Sequence, residues 1–270
     1  RSKYMKLRYT RYTRYTLRQV LCIVCASLKM LRTNLAVIIF TAFLANVAPT
    51  SGHSLNHIRK FLRLAYQNSE DGNPAYPVWP QMFQQSFKEN LYYPILGTHQ
   101  TNGTYFYDFA NRRYRIDRAN GRYDRYCGLN GAKAFTDTPC TQLVVSGMRW
   151  LIYPAKQECC QCCTSEQGCG VLFPTWMNNA TFIGKVDYHG QTVYKWNKKG
   201  LQNNFYYETV ADDPKDRVLL EIDQQPNDDQ IFDPQSRKLD IKNPEEVFQL
   251  PSYCEAGTAC SIFSTCHAVG

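Results

Sequence analysis

The segment CCQCC, at residues 159–163, constrains the fold of this chain more than any other part of the sequence. Four cysteines in five positions indicate a metal site, a redox site or a junction of several disulfides. The Cys-x-x-Cys spacing suits zinc, but a second pair at the right distance is missing. The turn-like TSEQGCG that follows does not open a helix, as a redox motif would. We therefore predict structural disulfides, with a metal site and a redox site as the alternatives.

The N-terminal part of the chain predicts export from the cytosol. Residues 1–51 contain nine Lys and Arg and no Asp or Glu, which leaves 22 basic and 23 acidic residues in the remainder. The positive net charge therefore does not indicate a nucleic-acid partner. Met30 begins a stretch with one Arg, an apolar run from Leu35 to Ala48 and then small residues, as in a secretory signal peptide. An uncleaved signal anchor is the alternative, although the run is short for a bilayer span.

These features predict three regions: a disordered upstream extension over residues 1–29, a signal peptide over 30–50, and one secreted domain over 53–270 with a cysteine-rich C-terminal tail. We expect the protein to be secreted or to lie in the lumen of the secretory pathway. Two sequons, at Asn102 and Asn179, agree with this location and predict glycosylation.

Ten cysteines follow the signal peptide, and an oxidising compartment favours their pairing. Adjacent cysteines resist bridging each other. In an extended segment, Cys159 and Cys163 would face one side and Cys160 and Cys162 the other, so the segment would be stapled to two neighbours. We expect part of the C-terminal tail to be one of them. The predicted disulfide cysteines are Cys127, Cys140, Cys159, Cys160, Cys162, Cys163, Cys169, Cys254, Cys260 and Cys266.

After a predicted helix over Ser54–Gln67, the pattern is that of an antiparallel β-sheet. Apolar and aromatic runs recur every eight to twelve residues or so, separated by Gly, Asn, Asp and Pro. Asn120-Gly121 predicts a tight hairpin between RRYRIDR and GRYDRYCG. The predicted strands are GTYFYDF, RRYRIDR, GRYDRYCG, RWLIYP, ATFIGKVDY, TVYKW, NFYYETV and RVLLEID.

Charged and catalytic side chains give weaker indications. Six arginines between Arg112 and Arg125 would either contact an anionic partner or form the solvated face of a hairpin. His53 and His57 have the i, i+4 spacing of metal ligands, but no acidic residue lies between them. We predict no catalytic residue, no metal and no cofactor. We also expect no nucleic-acid partner, and no membrane span after signal cleavage.

Four segments resemble a widespread, uncharacterised family of secreted eukaryotic proteins: CTSEQGCGVLFPTWMNNATFIGK, YKWNKKGLQNNFYYETV, RVLLEIDQQPNDDQIFD and VFQLPSYC. The pattern of strands and aromatic residues is more remotely similar to ependymin-related proteins and to bacterial lipoprotein-carrier (LolA-like) half-barrels. The resemblance implies an α+β fold, in which a curved antiparallel sheet (half-barrel) packs against a few helices and encloses a hollow suited to acyl chains.

The fourteen per cent of aromatic residues agrees with such a hollow, since apolar pockets have aromatic and aliphatic walls. We therefore expect a hydrophobic or lipid-like ligand to bind in a cavity of the sheet. A secreted enzyme that acts on lipid or glycan is one alternative, and an extracellular adhesion or structural protein is the other. The candidate ligand-binding residues are Trp150, Tyr153, Trp176, Trp196, Phe205 and Tyr207.

Overall fold

The computed structural model describes residues 72–128, 130, 136–200, 203–254 and 257–267. The predicted upstream extension, the signal peptide, His53, His57 and the Ser54–Gln67 helix all lie outside these residues. The strands are β1 (Met82–Tyr93), β2 (Gly97–Asp108), β3 (Arg113–Arg118), β4 (Cys140–Val145), β5 (Met148–Tyr153), β6 (Glu158–Thr164), β7 (Thr181–Tyr188), β8 (Gln191–Lys199), β9 (Asn203–Thr209), β10 (Leu219–Gln224), β11 (Asp228–Phe232) and β12 (Thr258–Ala259).

All twelve strands belong to one curved, open sheet in the order β12-β6-β5-β4-β3-β2-β1-β11-β10-β9-β8-β7. Every neighbouring pair is antiparallel except β12 and β6, which are parallel. The described residues contain a single α-helix, α1 (Pro244–Val247), beside several one-turn helices. The fold is therefore more sheet than the expected α+β class. In the part of the chain that the structure describes, no helix combines the length and the apolar character needed to cross a bilayer.

Seven of the predicted strands are present, and the CCQCC segment forms β6, but the sequence patterns missed β1, β4, β11 and the two-residue β12. β1 occupies the middle of the sheet, between β2 and β11. Its alternating buried positions include Gln85 and Glu89 beside Phe83, Phe87 and Leu91. Polar residues at buried positions interrupt the apolar alternation by which a half-buried strand is recognised.

The predicted return strand GRYDRYCG is wrong, because residues 121–128 form a loop. β3 pairs instead with β4, so that Arg118 lies opposite Cys140. A carboxylate oxygen of Asp124 accepts hydrogen bonds from the backbone N–H groups of Tyr126 and Cys127, at 3.0 and 2.7 Å. These local bonds offer the backbone an alternative to strand pairing.

Each face of the sheet carries a buried apolar cluster. The aromatic face, as we call it, carries the inward residues of the central strands and the largest apolar cluster, which includes Phe83, Tyr107, Tyr114 and Tyr206. The opposite face carries a second cluster under the C-terminal segment, where Phe248 packs against strand residues. Directly paired residues in an antiparallel sheet project to the same side, so the register fixes this division.

The disulfides confirm the interpretation of CCQCC. The segment is strand β6, adjacent cysteines do not pair, and Cys159 joins a different cluster from Cys160 and Cys162. Three bridges attach the C-terminal tail to β6, across sequence separations of 95, 100 and 104 residues. All ten predicted cysteines are bridged, in the pairs Cys127–Cys140, Cys159–Cys254, Cys160–Cys260, Cys162–Cys266 and Cys163–Cys169.

Candidate functional site

Trp79 lies at the centre of the aromatic face. Its ring centroid is 5.2 Å from that of Tyr107, 5.3 Å from Phe83 and 5.5 Å from Trp176, all in edge-to-face geometry. Its indole N–H donates to the Tyr206 hydroxyl at 3.0 Å. Edge-to-face pairs add roughly 0.5–1.5 kcal/mol each beyond the area that they bury. The result is a continuous aromatic wall across strands β1, β2 and β9.

Residues 171–180, which we call the strap, pack against this wall without regular secondary structure. The backbone N–H of Trp79 donates to the Pro174 carbonyl at 2.9 Å, and the Tyr107 hydroxyl donates to the Leu172 carbonyl at 2.7 Å. Met177 is fully buried, whereas Phe173 is exposed. The indole nitrogen of Trp176 is buried and has no hydrogen-bond partner among the described residues. The strap is therefore held by a few bonds, and one of its polar atoms is unsatisfied.

Of the six candidate ligand residues, the structure brings Trp176 and Trp196 into the aromatic cluster. Trp196 is buried, and its indole N–H donates to Glu208 at 3.0 Å. Trp150 lies on the opposite face in the cluster that contains Phe248. Tyr153 lies among the disulfides, where its hydroxyl donates to the Cys127 carbonyl at 2.9 Å. The sequence pattern did not distinguish these environments, because all of them bury large side chains.

Phe205 and Tyr207 project from the opposite face of β9, since their neighbour Tyr206 belongs to the aromatic face. The Lys195 ammonium lies 4.4 Å from the Phe205 ring centroid and 5.0 Å from that of Tyr207. The Tyr188 ring lies 5.4 Å from that of Tyr207. The six residues therefore do not line one cavity.

The aromatic face becomes polar toward one end of β1, and a buried ion cluster lies there. Arg118 donates to both carboxylate oxygens of Glu89, at 2.6 and 2.9 Å, and lies 3.2 Å from Asp124. Arg125 pairs with Asp228 at 2.9 Å. Glu89, Arg118, Asp124 and Asp228 are all buried. The cluster joins β1, β3, β11 and the loop over residues 121–128.

Burial and the neighbouring charges shift the pKa values of the three carboxylates of this cluster. Burial alone would raise the pKa of Glu89, but the charge and hydrogen bonds of Arg118 outweigh it and lower that pKa. Burial raises the pKa of Asp124 and that of Asp228, the latter well above its usual range with help from the Glu89 charge. Arg118 is therefore the cation on which Glu89 and Asp124 depend. The sequence did not indicate this buried ion pair, since Arg118 and Asp124 resemble the exposed charged residues of a hairpin.

Glu208 is a further buried carboxylate of the aromatic face, outside the ion cluster. It accepts hydrogen bonds from Trp196 and from Arg217, each at 3.0 Å. Burial raises its pKa from 4.5 to about 7, although Arg217 and Trp196 partly oppose the shift. The folded state therefore binds the Glu208 proton more tightly than the unfolded chain does, and the stability this provides is lost as the pH rises through about 7.

We expect the Glu208→Gln variant to lose part of the pH dependence of the wild-type stability. Between the two pKa values of Glu208, the wild type should gain about 1.4 kcal/mol of unfolding free energy per pH unit as the pH falls. Urea unfolding of both proteins over this range measures the difference in slope. The exposed Glu246→Gln variant is the matched control and should keep the wild-type slope. Equal slopes for the wild type and Glu208→Gln would contradict the expectation.

The opposite face carries an open groove of about 680 Å³ where β11, β1, β2 and β3 lie side by side. Its floor is the backbone around Phe87, Gly103 and Arg118. The Phe87 ring lies on the other side of the sheet, directly behind Gly103. A Cβ atom on Gly103 would clash with that ring. Its walls are side chains of the opposite face, namely Ser86, Lys88, Asn102, Thr104, Asp117, Ile231 and Asp233. A second hollow of about 420 Å³ continues from Asp117 to α1. The space beside Trp79 on the aromatic face is only about 10 Å³.

The arginines between 112 and 125 do not form a free basic patch. Arg113 pairs with Asp108 and Glu245. Arg112 stacks over the Phe109 ring with 3.8 Å between guanidinium carbon and ring centroid. The others have internal acidic partners, in the pairs Arg115–Asp117, Arg118–Glu89, Arg122–Asp137 and Arg125–Asp228. The expectation of an anionic partner is therefore not supported, and Arg113 and Arg118 are not on a solvated face.

Three sulfur atoms, from Cys162, Cys260 and Cys266, lie within 4.8 Å of one another. Cys162 is bridged to Cys266, and Cys260 is bridged to Cys160. A metal binds the thiolate form of cysteine, which a bridged sulfur does not provide. Two neighbouring disulfides therefore explain why these three sulfur atoms lie close together, in agreement with the predicted structural disulfides.

No protein-family model and no curated protein matches the chain. Among solved structures, an uncharacterised conserved protein from Thermus thermophilus is 8% identical with a TM-score of 0.41, over 67% of this chain and 90% of that one. A LolA superfamily protein from Nitrosomonas europaea is 8% identical with a TM-score of 0.29, over 63% of this chain and 91% of that one. Both likenesses are remote. Neither the expected eukaryotic family nor the ependymin-related proteins are shown by any match.

Proposed function

We propose that the protein is a secreted, glycosylated, disulfide-stapled protein that binds a hydrophobic or lipid-like ligand against the aromatic face of its curved sheet. The observation that carries this proposal is the aromatic wall around Trp79, which is covered by an irregular strap rather than by a helix or a second sheet. Apolar ligand sites have such walls with few polar groups. The disulfides support the secretory location, since they persist in oxidising compartments.

The ligand enters by displacing the strap. Val171, Trp176 and Met177 pack against the wall, and an acyl chain in their place would make similar apolar contacts. Moving Trp176 also brings its buried indole nitrogen to water, where it gains a hydrogen bond. Because the space beside Trp79 is small in the present arrangement, binding requires this movement. Trp196, which stays in the aromatic cluster, is then the candidate residue that contacts the ligand, and Trp176 is the residue that gives way to it.

We expect Trp176→Ala to strengthen the binding of a fluorescent long-chain fatty acid by about tenfold, which corresponds to about 1.4 kcal/mol, because the ligand no longer has to displace this ring from the wall. The full chain, secreted from eukaryotic cells, is titrated with the probe, and native mass spectrometry of the same material detects lipid that co-purifies with it. Phe205→Ala, on the opposite face, is the matched control and should bind as the wild type does. The proposal fails if the protein neither carries lipid nor binds the probe, or if Trp176→Ala binds the probe no more tightly than Phe205→Ala does.

A further inference from the structure

The predicted glycosylation site at Asn102 lies inside the groove of the opposite face. Asn102, Gly103 and Thr104 form the sequon, and all three residues line the groove. Asn102 is exposed and lies directly across from Lys88 in the β1–β2 register. Because side chains alternate along a strand, Asn102 and Thr104 both project to the groove side while Gly103 faces the Phe87 ring. A sugar attached to Asn102 therefore begins its course within the groove.

We propose that the groove is the resting place of this chain's own Asn102-linked glycan, whose first N-acetylhexosamine units pack between β11 and β3. The inference rests on the proposed secretory location. The occupant of the groove is then a sugar that is covalently attached to the chain. This leaves the aromatic face as the site for the hydrophobic ligand.

The side chains of the groove match the chemistry of such a sugar. Its hydroxyl and acetamido groups both donate and accept hydrogen bonds. The walls offer hydroxyls from Ser86 and Thr104, the Lys88 ammonium and the Asp233 carboxylate. Ile231 lies opposite Lys88 in the β1–β11 register and offers an apolar contact to the acetamido methyl group. The volume of about 680 Å³ is within the usual range of ligand clefts, roughly 300–1,000 Å³.

The second sequon, at Asn179, lies in a different environment from the first. Asn179 is exposed in the turn that precedes β7, with φ at 65°, and it lines neither the groove nor the neighbouring hollow. β7 is an edge strand of the sheet. A glycan on Asn179 therefore projects from an edge into solvent, whereas one on Asn102 lies along the sheet. The two sites should differ in how readily an enzyme reaches the linkage.

The test is the release of each glycan by peptide N-glycosidase F from the native, full-length protein secreted by eukaryotic cells. Site-resolved mass spectrometry should show release at Asn102 at least about tenfold slower than at Asn179, because access to Asn102 requires the glycan to leave the groove. Reduction and denaturation should abolish the difference. Lys88→Ala removes one wall and should speed release at Asn102, whereas Lys185→Ala on β7 should not change it.

Three other results of this experiment would contradict the inference. Equal release from the two native sites, or an occupied Asn179 with an empty Asn102, overturns the inference and leaves the secretory proposal standing. Absence of glycan at both sites overturns both. Thr104→Val, which removes the sequon, should increase hydrogen exchange of the β1 and β2 amides around the groove, whereas Thr104→Ser keeps the sequon and should preserve the wild-type rates. Unchanged exchange in Thr104→Val would contradict packing of the glycan against the strands.

Discussion

Replacing Arg118 by Met is expected to lower the free energy of unfolding by about 3–5 kcal/mol. The substitution keeps an unbranched side chain but removes the only cation within hydrogen-bond distance of Glu89 among the described residues. Glu89 and Asp124 are both fully buried, so each would be left as an uncompensated charge. For a chain of this size the melting temperature should fall by roughly 2–4 °C for each kcal/mol lost.

The control for this variant is Arg122→Met. Arg122 pairs with Asp137 at 2.7 Å, but both side chains are exposed, so its loss should cost no more than about 1 kcal/mol. A second readout separates lost charge from lost packing. In Arg118→Met the orphaned carboxylates should be protonated more readily, so the deficit should shrink as the pH falls. If the two variants are equally stable, or if the Arg118→Met deficit does not depend on pH, the buried pair does not hold this part of the fold.

The disulfides of the C-terminal tail are expected to act as one unit. Cys159–Cys254, Cys160–Cys260 and Cys162–Cys266 close loops whose sequence separations differ by less than ten residues. While two of them remain, the loss of the third frees only a short loop and should cost about 2 kcal/mol. Once two are gone, the last one holds a loop of about 100 residues and should be worth about 4.7 kcal/mol. The last bridge to be removed should therefore cost about twice as much as the first, whichever it is.

Paired Cys→Ala substitutions, introduced one bridge at a time and in different orders, measure these costs by urea unfolding. Cys127–Cys140, which spans 13 residues elsewhere in the chain, serves as the control. Its removal should cost about 3 kcal/mol in every background, because it shares no loop with the tail. Equal costs for the first and the last tail bridge would show that the three bridges act independently. Removal of all three should also make the tail susceptible to limited proteolysis.

The sequence predicted β2, β3, β5 and the run from β7 to β10, but it missed β1, β4 and β11. β7, β9 and β10 were each found within a residue or two and β8 within three, because apolar alternation and turn residues coincide there. β1 was missed although it is among the longest strands and lies at the centre of the sheet. Its inward residues include Gln85 and Glu89, whose partners come from distant parts of the chain. Gln85, for example, donates to the carbonyls of Leu219 and Asp233.

The candidate ligand-binding residues were also predicted only in part. Aromatic residues were expected to bind a ligand, and alternation correctly separates one side of a strand from the other. It does not say which side of the sheet is covered, or by what. Trp150 and Trp196 were therefore grouped together in the prediction, although one lies beneath the C-terminal segment and the other on the aromatic face.

The amino-acid sequence by itself favoured disulfides for the cysteines of residues 159–163, and it indicated that they would divide between two sides if the segment were extended. Both follow from local rules, namely the even number of thiols and the two-residue period of a β-strand. Only the tertiary structure decided which cysteine meets which partner, where β1 is inserted, and that Arg118 is buried against Glu89. Each of these depends on contacts between residues far apart in the chain. Such contacts form only when the whole sheet packs, and no local sequence pattern specifies them.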